Sequence, residues 1–338
     1  MSMASGDLAA WKRGAVFIAI LFGVGGIGLC RGIADDAPPA PATFRQLLER
    51  RQRETLREVL AYIEANPSAE DVDQAATWAF ETATASGLEP DVIALAEKFA
   101  GRRDIDPATR QLAQSALCIG LARSGTLADA ISQFEASLLG ARQQSPFKVL
   151  DLASLLAAQA RIAGNLEASR TVYERVASTF PLNAQIGDIV EGRIARQELI
   201  GKPAPTVKTT DVKGQPFELA SLSGKVVLID FWGTTCVPCL AEFPNLRQIY
   251  KEFHERGFEI VGVSFNDSPA TVDAFATRAK LPWRMVMNVS SGELISDRFR
   301  TRTIPALFLI DSQGEIAQVD VRGSDLRLVI ERLLKTEK

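Results

Sequence analysis

Apolar residues recur at helical spacing between residues 44 and 200. Leu56, Val59, Leu60 and Ile63 follow one another at three- and four-residue steps, a pattern that places them on one face of a helix. Helix-breaking residues interrupt this pattern at intervals, namely Pro67, Gly87, Gly125, Gly164 and Pro181. The sequence therefore predicts an all-α domain over residues 44–200.

The helical region contains a weak internal repeat. Four residues recur 39 positions later: Gly125, Leu127, Phe134 and Glu135 correspond to Gly164, Leu166, Tyr173 and Glu174. The segment around Gly164 resembles the turn and second helix of a tetratricopeptide-like repeat, although the spacing exceeds that family's usual ~34 residues. We expect helical hairpins, with an irregular helical bundle as the alternative. Such a domain either offers a groove to a protein partner or serves as a spacer or dimerisation module.

The periodicity changes at Gly201-Lys202-Pro203-Ala204-Pro205, where strand-like alternation begins. Residues 225–232 form a largely apolar run with one acid, Asp230, which is typical of a central strand covered on both faces. A helical pattern resumes through Leu246, Ile249 and Phe253. We therefore predict an α/β domain over residues 201–338, with a mixed sheet flanked by helices.

The first 34 residues have the layout of an export signal. Lys12 and Arg13 precede an uncharged stretch from Gly14 to Cys30, and Ala34 ends a small-residue cleavage pattern. The stretch would span only ~25 Å as a helix, slightly less than a bilayer core, so both a cleaved signal peptide and a retained anchor remain open. Residues 35–43 are rich in Pro and Ala and predict a linker. Either form places the protein outside the cytoplasm, in the periplasm or facing it from the membrane.

Composition is consistent with two folded domains. Of the chain's residues, 46% are hydrophobic and 23% charged, a composition that excludes a disordered chain. The length of 338 residues exceeds the usual size of one domain. The formal net charge of −3 provides no basic field for nucleic acid. We therefore expect no nucleic-acid partner.

Two of the four cysteines form a C-x-x-C pair, Cys236 and Cys239. They follow the predicted central strand and begin the next helix, where unpaired backbone N–H groups and the helix dipole stabilise a thiolate. Cys236 is therefore the predicted nucleophile, and Cys239, one turn further along, the predicted resolving thiol. Cys118 lies in an apolar helical run and is expected to be a buried core residue.

Residues 201–338 resemble the TlpA/ResA-like thioredoxin family. The resemblance rests on residues in matching order: Gly201-Lys202-Pro203-Ala204-Pro205, Leu222-Ser223-Gly224-Lys225, Phe231-Trp232, Cys236-Val237-Pro238-Cys239, Glu242-Phe243-Pro244, Val261-Gly262-Val263-Ser264 and Ile304-Pro305. It implies a thioredoxin fold and the reduction or isomerisation of disulfides in protein clients outside the cytoplasm, often in cytochrome c maturation. It also implies a membrane electron donor or acceptor. The only expected cofactor is the redox-active Cys236–Cys239 disulfide itself.

The resemblance assigns roles to residues around the thiols. Pro305 matches the family's cis-proline, which presents the backbone of Ile304 to a client strand. Glu242 and Asp230 match acids near the buried thiol; either is a candidate acceptor for the Cys239 proton, with a structural role as the alternative. Trp232 is included on the substrate side, with packing beside the site as the favoured interpretation.

The residues immediately around Cys236 depart from the family pattern. Thr235 stands where the family commonly has Trp, which predicts a more open site. Val237 and Pro238, between the thiols, differ from the Gly-Pro of general reductants, and C-x-x-C proteins span a wide range of reduction potentials. Thr235, Val237 and Pro238 are therefore predicted to shape client access, while the direction of electron flow stays open.

Other kinds of site fit the sequence less well. Zinc would need more Cys or His ligands, yet the single histidine, His254, is expected on the solvent face of the helix after the thiols. We therefore predict no metal site. An alternative function from another class is a helical-repeat scaffold whose thioredoxin domain serves only for docking. The intact C-x-x-C pair and Ile304-Pro305 favour the oxidoreductase.

Overall fold

The structure is a computed structural model that describes residues 43–139, 145–265, 267–289 and 292–336. The predicted signal or anchor at 1–34, and the predicted linker except for Thr43, lie outside the described residues. Within those ranges, none of the helices combines the length and apolar character needed to cross a bilayer.

The described part of the chain before residue 200 is helical, as predicted. Its α-helices are α1 Phe44–Ala65, α2 Val72–Ser86, α3 Ile93–Ala100, α4 Pro107–Arg123, α5 Leu127–Leu138, α6 Pro146–Ile162, α7 Leu166–Thr179 and α8 Ala184–Gln197. Gly125 and Gly164 have φ of +89° and +77°, a left-handed conformation that glycine adopts without steric cost. They lie in the α4–α5 and α6–α7 turns, so the sequence repeat corresponds to two successive helix–turn–helix units.

Two apolar clusters form the helical core. One unites α1 to α4, and the second unites α4 to α8 around the fully buried Phe134 and Tyr173. These two aromatic residues are the repeat-related pair. Cys118 is buried in the second cluster, and burial raises the pKa of its thiol to about 12. It is therefore a core residue that stays protonated at neutral pH.

The rest of the chain forms a five-stranded mixed sheet, with a small β1–β2 ribbon before it. The strands are β1 Lys208–Thr210, β2 Pro216–Glu218, β3 Val226–Trp232, β4 Phe258–Ser264, β5 Arg284–Met287, β6 Ala306–Ile310 and β7 Ile316–Val319. The sheet order is β5-β4-β3-β6-β7; β3 pairs in parallel with β4 and antiparallel with β6. The helices are α9 Val237–Phe253, α10 Pro269–Arg278, α11 Ile295–Arg298 and α12 Gly323–Thr336. The predicted thioredoxin-like α/β fold is confirmed.

Strand β3 is buried along its whole length at the centre of the sheet. Val226, Leu228 and Trp232 pack with residues of α9 and α12 in one core cluster, whereas Val227 and Phe231 pack in the cluster on the other side of the sheet. Successive side chains of a strand point to opposite faces. Position 230 therefore lies on the same face as α9, the helix that has Cys236 as its N-cap residue and Cys239 in its first turn.

Candidate active site

The Cys pair lies at the turn from β3 to α9. Cys236 is the N-cap residue of α9, and its Sγ accepts a hydrogen bond from the backbone N–H of Cys239 at 3.3 Å. The two sulfurs form a disulfide of 2.05 Å, with Cα atoms 5.3 Å apart. The sulfur of Cys236 therefore occupies the helix-terminal position that sequence analysis predicted, where N–H groups favour negative charge.

The two sulfurs differ in accessibility. Cys236 is half-buried, whereas Cys239 is only 3% exposed and packs into the core under α9. The side chains surrounding Cys236, Thr235 and Pro238, are exposed, and Val237 is 74% exposed. A large reaction partner therefore reaches Cys236 before Cys239.

The turn before Cys236 is held by Asp267, a residue that sequence analysis missed. Its carboxylate accepts hydrogen bonds from the Thr234 backbone N–H at 3.0 Å, the Thr234 hydroxyl at 2.6 Å and the Ser264 hydroxyl at 2.9 Å. Burial acts to raise the pKa of Asp267, but the hydrogen bonds from Thr234 and Ser264 outweigh it and hold that pKa below its usual range. Asp267 follows β4, the parallel neighbour of β3. Its place after that strand was the available signal, because parallel strands end at one edge of a sheet.

Ile304 and Pro305 lie beside this turn, immediately before β6. The Ile304–Pro305 peptide bond is cis. A Cβ atom added to Gly233 would lie 3.2 Å from Cδ1 of Ile304, tighter than ordinary van der Waals contact. The Ile304 side chain therefore packs against the turn that leads to Cys236.

Asp230 is the buried acid beneath the thiols. It is 3% exposed and occupies the α9 face of β3. Burial raises the pKa of Asp230 to about 7, Arg322 opposes this rise, and the charge of Glu242 adds to it. Because the charged form is penalised by burial, Asp230 carries or releases a proton near neutral pH.

Glu242, three residues after Cys239 on α9, is held by hydrogen bonds. One of its carboxylate oxygens accepts from the Asn245 amide at 2.6 Å and from the Gly323 backbone N–H at 3.0 Å. Glu242 therefore ties α9 to the start of α12, while its charge acts on Asp230.

Trp232 lies below the thiols in the apolar core. It is fully buried, and its ring centroid lies 5.1 Å from that of Phe243 and 5.3 Å from that of Phe275. It has no exposed surface for a client to contact. The prediction that Trp232 lies on the substrate side is therefore wrong, because the side chain is buried. Packing beside the site, the favoured interpretation, agrees with this burial.

His254 directly follows α9, and its side chain is 35% exposed. It is half-buried and stacks on Tyr250, with 4.4 Å between ring centroids, while Nδ1 lies 3.6 Å from a Glu259 carboxylate oxygen. Within the described ranges, no cluster of three or more His, Cys, Asp or Glu side chains is arranged to hold a metal ion.

The C-terminal part of the chain is similar to known proteins. Residues 200–319 match the model of the AhpC/TSA family. The thiol-disulfide oxidoreductase ResA of Halalkalibacterium halodurans is 35% identical over 139 residues, which cover 40% of this chain and 78% of that protein. ResA of Bacillus cereus is 30% identical over 164 residues, which cover 48% of this chain and 93% of that protein.

Solved structures also resemble the C-terminal part. The solution structure of a thiol:disulfide interchange protein from Bacteroides sp. matches with a TM-score of 0.38 and 29% sequence identity. The matched region covers 40% of this chain and 90% of the Bacteroides chain. The matched relatives share the half of the molecule that carries Cys236 and Cys239. With most of the ResA sequence matched at this level of identity, the chain belongs to the ResA-like family of thiol-disulfide oxidoreductases.

Proposed function

We propose that the protein exchanges disulfides with protein clients through Cys236-Val237-Pro238-Cys239, with no cofactor beyond this pair. The observation that carries the proposal is the asymmetry of the two sulfurs. Cys236 is accessible at the N-terminus of α9, while Cys239 is buried on the side of Asp230. One sulfur is thereby available to meet a client and the other to complete the exchange within the protein.

In the reducing direction, the Cys236 thiolate attacks one sulfur of a client disulfide. A mixed disulfide forms, and the other client sulfur leaves as a thiolate that takes a proton. The Cys239 thiolate then attacks Sγ of Cys236, forming the internal disulfide and releasing the second client thiolate. The client gains two electrons and the Cys pair loses two. The oxidising direction reverses each step.

In this proposal, Asp230 takes the proton that Cys239 loses and returns it when Cys239 leaves as a thiolate. Cys239 must lose a proton before it attacks and regain one when it leaves as a thiolate. A carboxyl whose pKa is about 7 accepts and returns that proton near neutral pH at small cost in free energy. Glu242 serves a supporting role, because its oxygen is already engaged by Asn245 and Gly323.

The client surface consists of exposed or half-buried residues around Cys236. Thr235, Val237 and Pro238 surround the sulfur, and Ile304 and Pro305 form the adjoining loop. In the proposal, an extended client segment pairs with the Ile304 backbone. The side chain at Thr235 is small, so this surface admits folded clients as well as short peptides.

The proposal extends to location and partners. The predicted signal or anchor at residues 1–34 directs the catalytic domain outside the cytoplasm, in the periplasm or attached to the membrane. There, a membrane protein would return or remove the two electrons. Cytochrome c maturation or envelope redox balance is the proposed setting, and the helical hairpins are the proposed surface for a further protein partner.

The variant Cys239→Ala tests the proposed function. Its Cys236 can attack a client but lacks the internal thiol that normally displaces it at high effective concentration. Mixed disulfides should accumulate, and mass spectrometry of the exported fraction should map them to Cys236 and identify the client. Cys118→Ala is the matched control, since Cys118 is buried away from the site.

Two results together would contradict the oxidoreductase mechanism. They are the absence of any trapped species from Cys239→Ala and the failure of the wild-type protein to reduce insulin in vitro. The scaffold interpretation would then replace it.

A further inference from the structure

Residues 319–325 comprise the last residue of β7, the connection to α12 and the first residues of α12, and they lie between the helical domain and the active site. We call them the bridging segment. It contains three charged residues, Asp320, Arg322 and Asp325. Each of them contacts a group on one side or the other of the domain junction.

Residues of the helical domain donate hydrogen bonds to both ends of the bridging segment. Arg196 of α8 donates two hydrogen bonds to Oδ2 of Asp320, at 2.9 and 2.7 Å. Arg161 of α6 donates to the backbone carbonyl of Val319 at 3.1 Å. At the other end, Asp325 accepts from Arg123 at 2.9 Å and from Gln159 at 2.7 Å.

The Arg196–Asp320 pair is buried. The two side chains are 1% and 9% exposed, so separating them would leave a charge without water or a partner. Breaking such a pair is costly. Burial acts to raise the pKa of Asp320, but the charge of Arg196 outweighs it, aided by Arg322, Arg193 and Arg161, and lowers that pKa to about 2. The pair therefore stays ionised, and Asp320 is fixed relative to α8.

The same segment contacts the active-site loop. Oδ1 of Asp320 accepts from the backbone N–H of Leu307 at 3.2 Å, and the Asp320 N–H donates to the Leu307 carbonyl at 2.8 Å. Arg322 donates to the carbonyl of Pro305 at 3.0 Å. Asp320 and Arg322 of the bridging segment thus hold Leu307 and Pro305, which follow Ile304.

Arg322 also faces the acids under the thiols. The charged groups that act on Asp230 are Arg322 of the bridging segment and Glu242 of α9. Those that act on Arg322 are Asp320 beside it, Arg193 of α8, Glu242 and Asp230. The cation of Arg322 therefore acts on Asp230 and Glu242 and on Asp320, and it also donates to the Pro305 carbonyl.

We propose that Arg322 is a positioning residue of the redox site, and that the helical domain sets its placement through the Arg196–Asp320 ion pair. This inference rests on the proposed function of Cys236, Cys239 and Asp230. It gives the helical domain a part in client recognition and proton balance, in addition to any surface that it offers to a partner.

The first consequence concerns pH. The cation of Arg322 stabilises the Asp230 carboxylate, so its removal raises the pKa of Asp230 further. In Arg322→Gln, the midpoint of the pH profile for disulfide exchange should rise by about one unit. Arg322→Lys, which keeps the charge but forms a poorer planar contact, should restore most of the wild-type midpoint.

The second consequence concerns clients. Loss of the bond from Arg322 to the Pro305 carbonyl loosens the loop that meets a protein client, whereas a small disulfide needs little of that surface. Arg322→Gln should therefore reduce the rate with insulin several-fold more than the rate with oxidised glutathione. Both rates are measured on the full chain from pH 5 to 9.

Arg196→Gln tests the contribution of the helical domain, with Arg175→Gln as the matched control. Arg175 forms an exposed ion pair with Glu135, far along the chain from the bridging segment. Arg196→Gln should raise the pH midpoint and lower the insulin-to-glutathione rate ratio in the same direction as Arg322→Gln. Arg175→Gln should match the wild type.

The outcomes separate this inference from the proposed function. A wild-type protein inactive with both disulfides contradicts the proposed function. An active wild type whose midpoint and rate ratio are unchanged in Arg322→Gln overturns the role of Arg322, and Arg196→Gln behaving as Arg175→Gln overturns the role of the helical domain.

If Arg196→Gln does not fold, Arg196→Lys replaces it, because an ammonium cannot reproduce the two hydrogen bonds that Nε and Nη2 of the guanidinium donate to Oδ2 of Asp320. Faster amide exchange at Leu307 and a lower rate ratio then support the inference. Values equal to those of Arg175→Gln overturn it.

Discussion

Cys236 and Cys239 are three residues apart, yet they differ in burial and in their position relative to the start of α9. Sγ of Cys236 meets the N–H groups at the start of α9, and the residue is half-buried among exposed neighbours. Cys239 is buried against apolar side chains. Thiolate stability is raised by helix N-termini and lowered by apolar burial, so the position of one helix start separates the two roles.

Once the disulfide is reduced, we expect the pKa of Cys236 to lie below the ~8.5 of a free thiol. Iodoacetamide should therefore label Cys236 at lower pH than Cys239. Peptide mapping of alkylation against pH measures both. Equal labelling of the two sulfurs with an ordinary midpoint would contradict their assigned roles.

Asp230 is a carboxyl that opposes folding once it is ionised. Its pKa is about 7 in the folded protein and about 3.9 in an unfolded chain. The folded state therefore holds the proton more tightly, and ionisation costs stability progressively as pH rises from about 4 to 7. Such a cost at the core of the fold is typical of a functional site.

The variant Asp230→Asn removes this cost. We expect its free energy of unfolding to equal that of the wild type near pH 4 and to exceed it above pH 7, by on the order of 4 kcal/mol at most. Urea unfolding at several pH values measures the difference. A constant offset between variant and wild type across this range would contradict the raised pKa.

At the level of elements, close packing of α4 depends on one glycine. A Cβ atom added to Gly120 would lie 2.8 Å from the Glu89 carbonyl oxygen and 2.8 Å from Cγ1 of Ile93. The first is a backbone atom, which cannot rotate away. Helix α4 therefore approaches the 3₁₀ helix Glu89–Val92 and the start of α3 at a distance that only glycine permits.

We expect Gly120→Ala to destabilise the protein by about 1–3 kcal/mol through overpacking. Gly187→Ala is the matched control: Gly187 is exposed in α8, and its added Cβ would meet no atom within 4 Å. This control should be neutral or stabilising by up to about 1 kcal/mol, since Ala favours helix over Gly. Thermal unfolding of both variants tests the contrast, and equal effects would refute the packing argument.

At the scale of the whole molecule, the two domains share buried polar contacts. Asp325, at the start of α12, is 7% exposed and accepts from Arg123 and Gln159 of the helical domain. Arg123 also pairs with Glu89. A connection of this kind couples the domains, because opening the junction would break the hydrogen bonds from Arg123 and Gln159 to Asp325 together.

The variant Asp325→Ala should lower the free energy of unfolding by about 1–3 kcal/mol, because it leaves buried donors unpaired. Hydrogen exchange should accelerate in α4, α6 and α12 together, since all three meet at this contact. Glu135→Ala, which removes an exposed ion pair with Arg175, should change stability by less than about 0.5 kcal/mol. Acceleration confined to α12 would show that the domains open independently.

Local pattern predicted much of this protein. Helical periodicity before residue 200, the apolar run of β3 and the C-x-x-C pair at the following helix start are short-range features, and each corresponds to an element of the structure. Resemblance to a known family added Ile304, Pro305 and the two acids. The reason is physical: a helix, a buried strand and an N-terminal thiol are all determined by residues within a few positions of one another.

The tertiary structure decided which distant side chains meet. Asp267 reaches Thr234 across 33 residues, and Arg196 reaches Asp320 across 124. The place of Asp267 after β4 was the one signal for the first pairing, and the second has none, because a charged residue looks the same along the chain whether its partner is water or a buried ion. The direction of the Asp230 pKa shift likewise depends on how completely the sheet and α9 exclude water around it. The sequence by itself determined the C-x-x-C pair and the thioredoxin-like fold around it. Only the tertiary packing, which brings Asp267 to Thr234 and α8 to the connection before α12, determined what holds the surroundings of that pair in place.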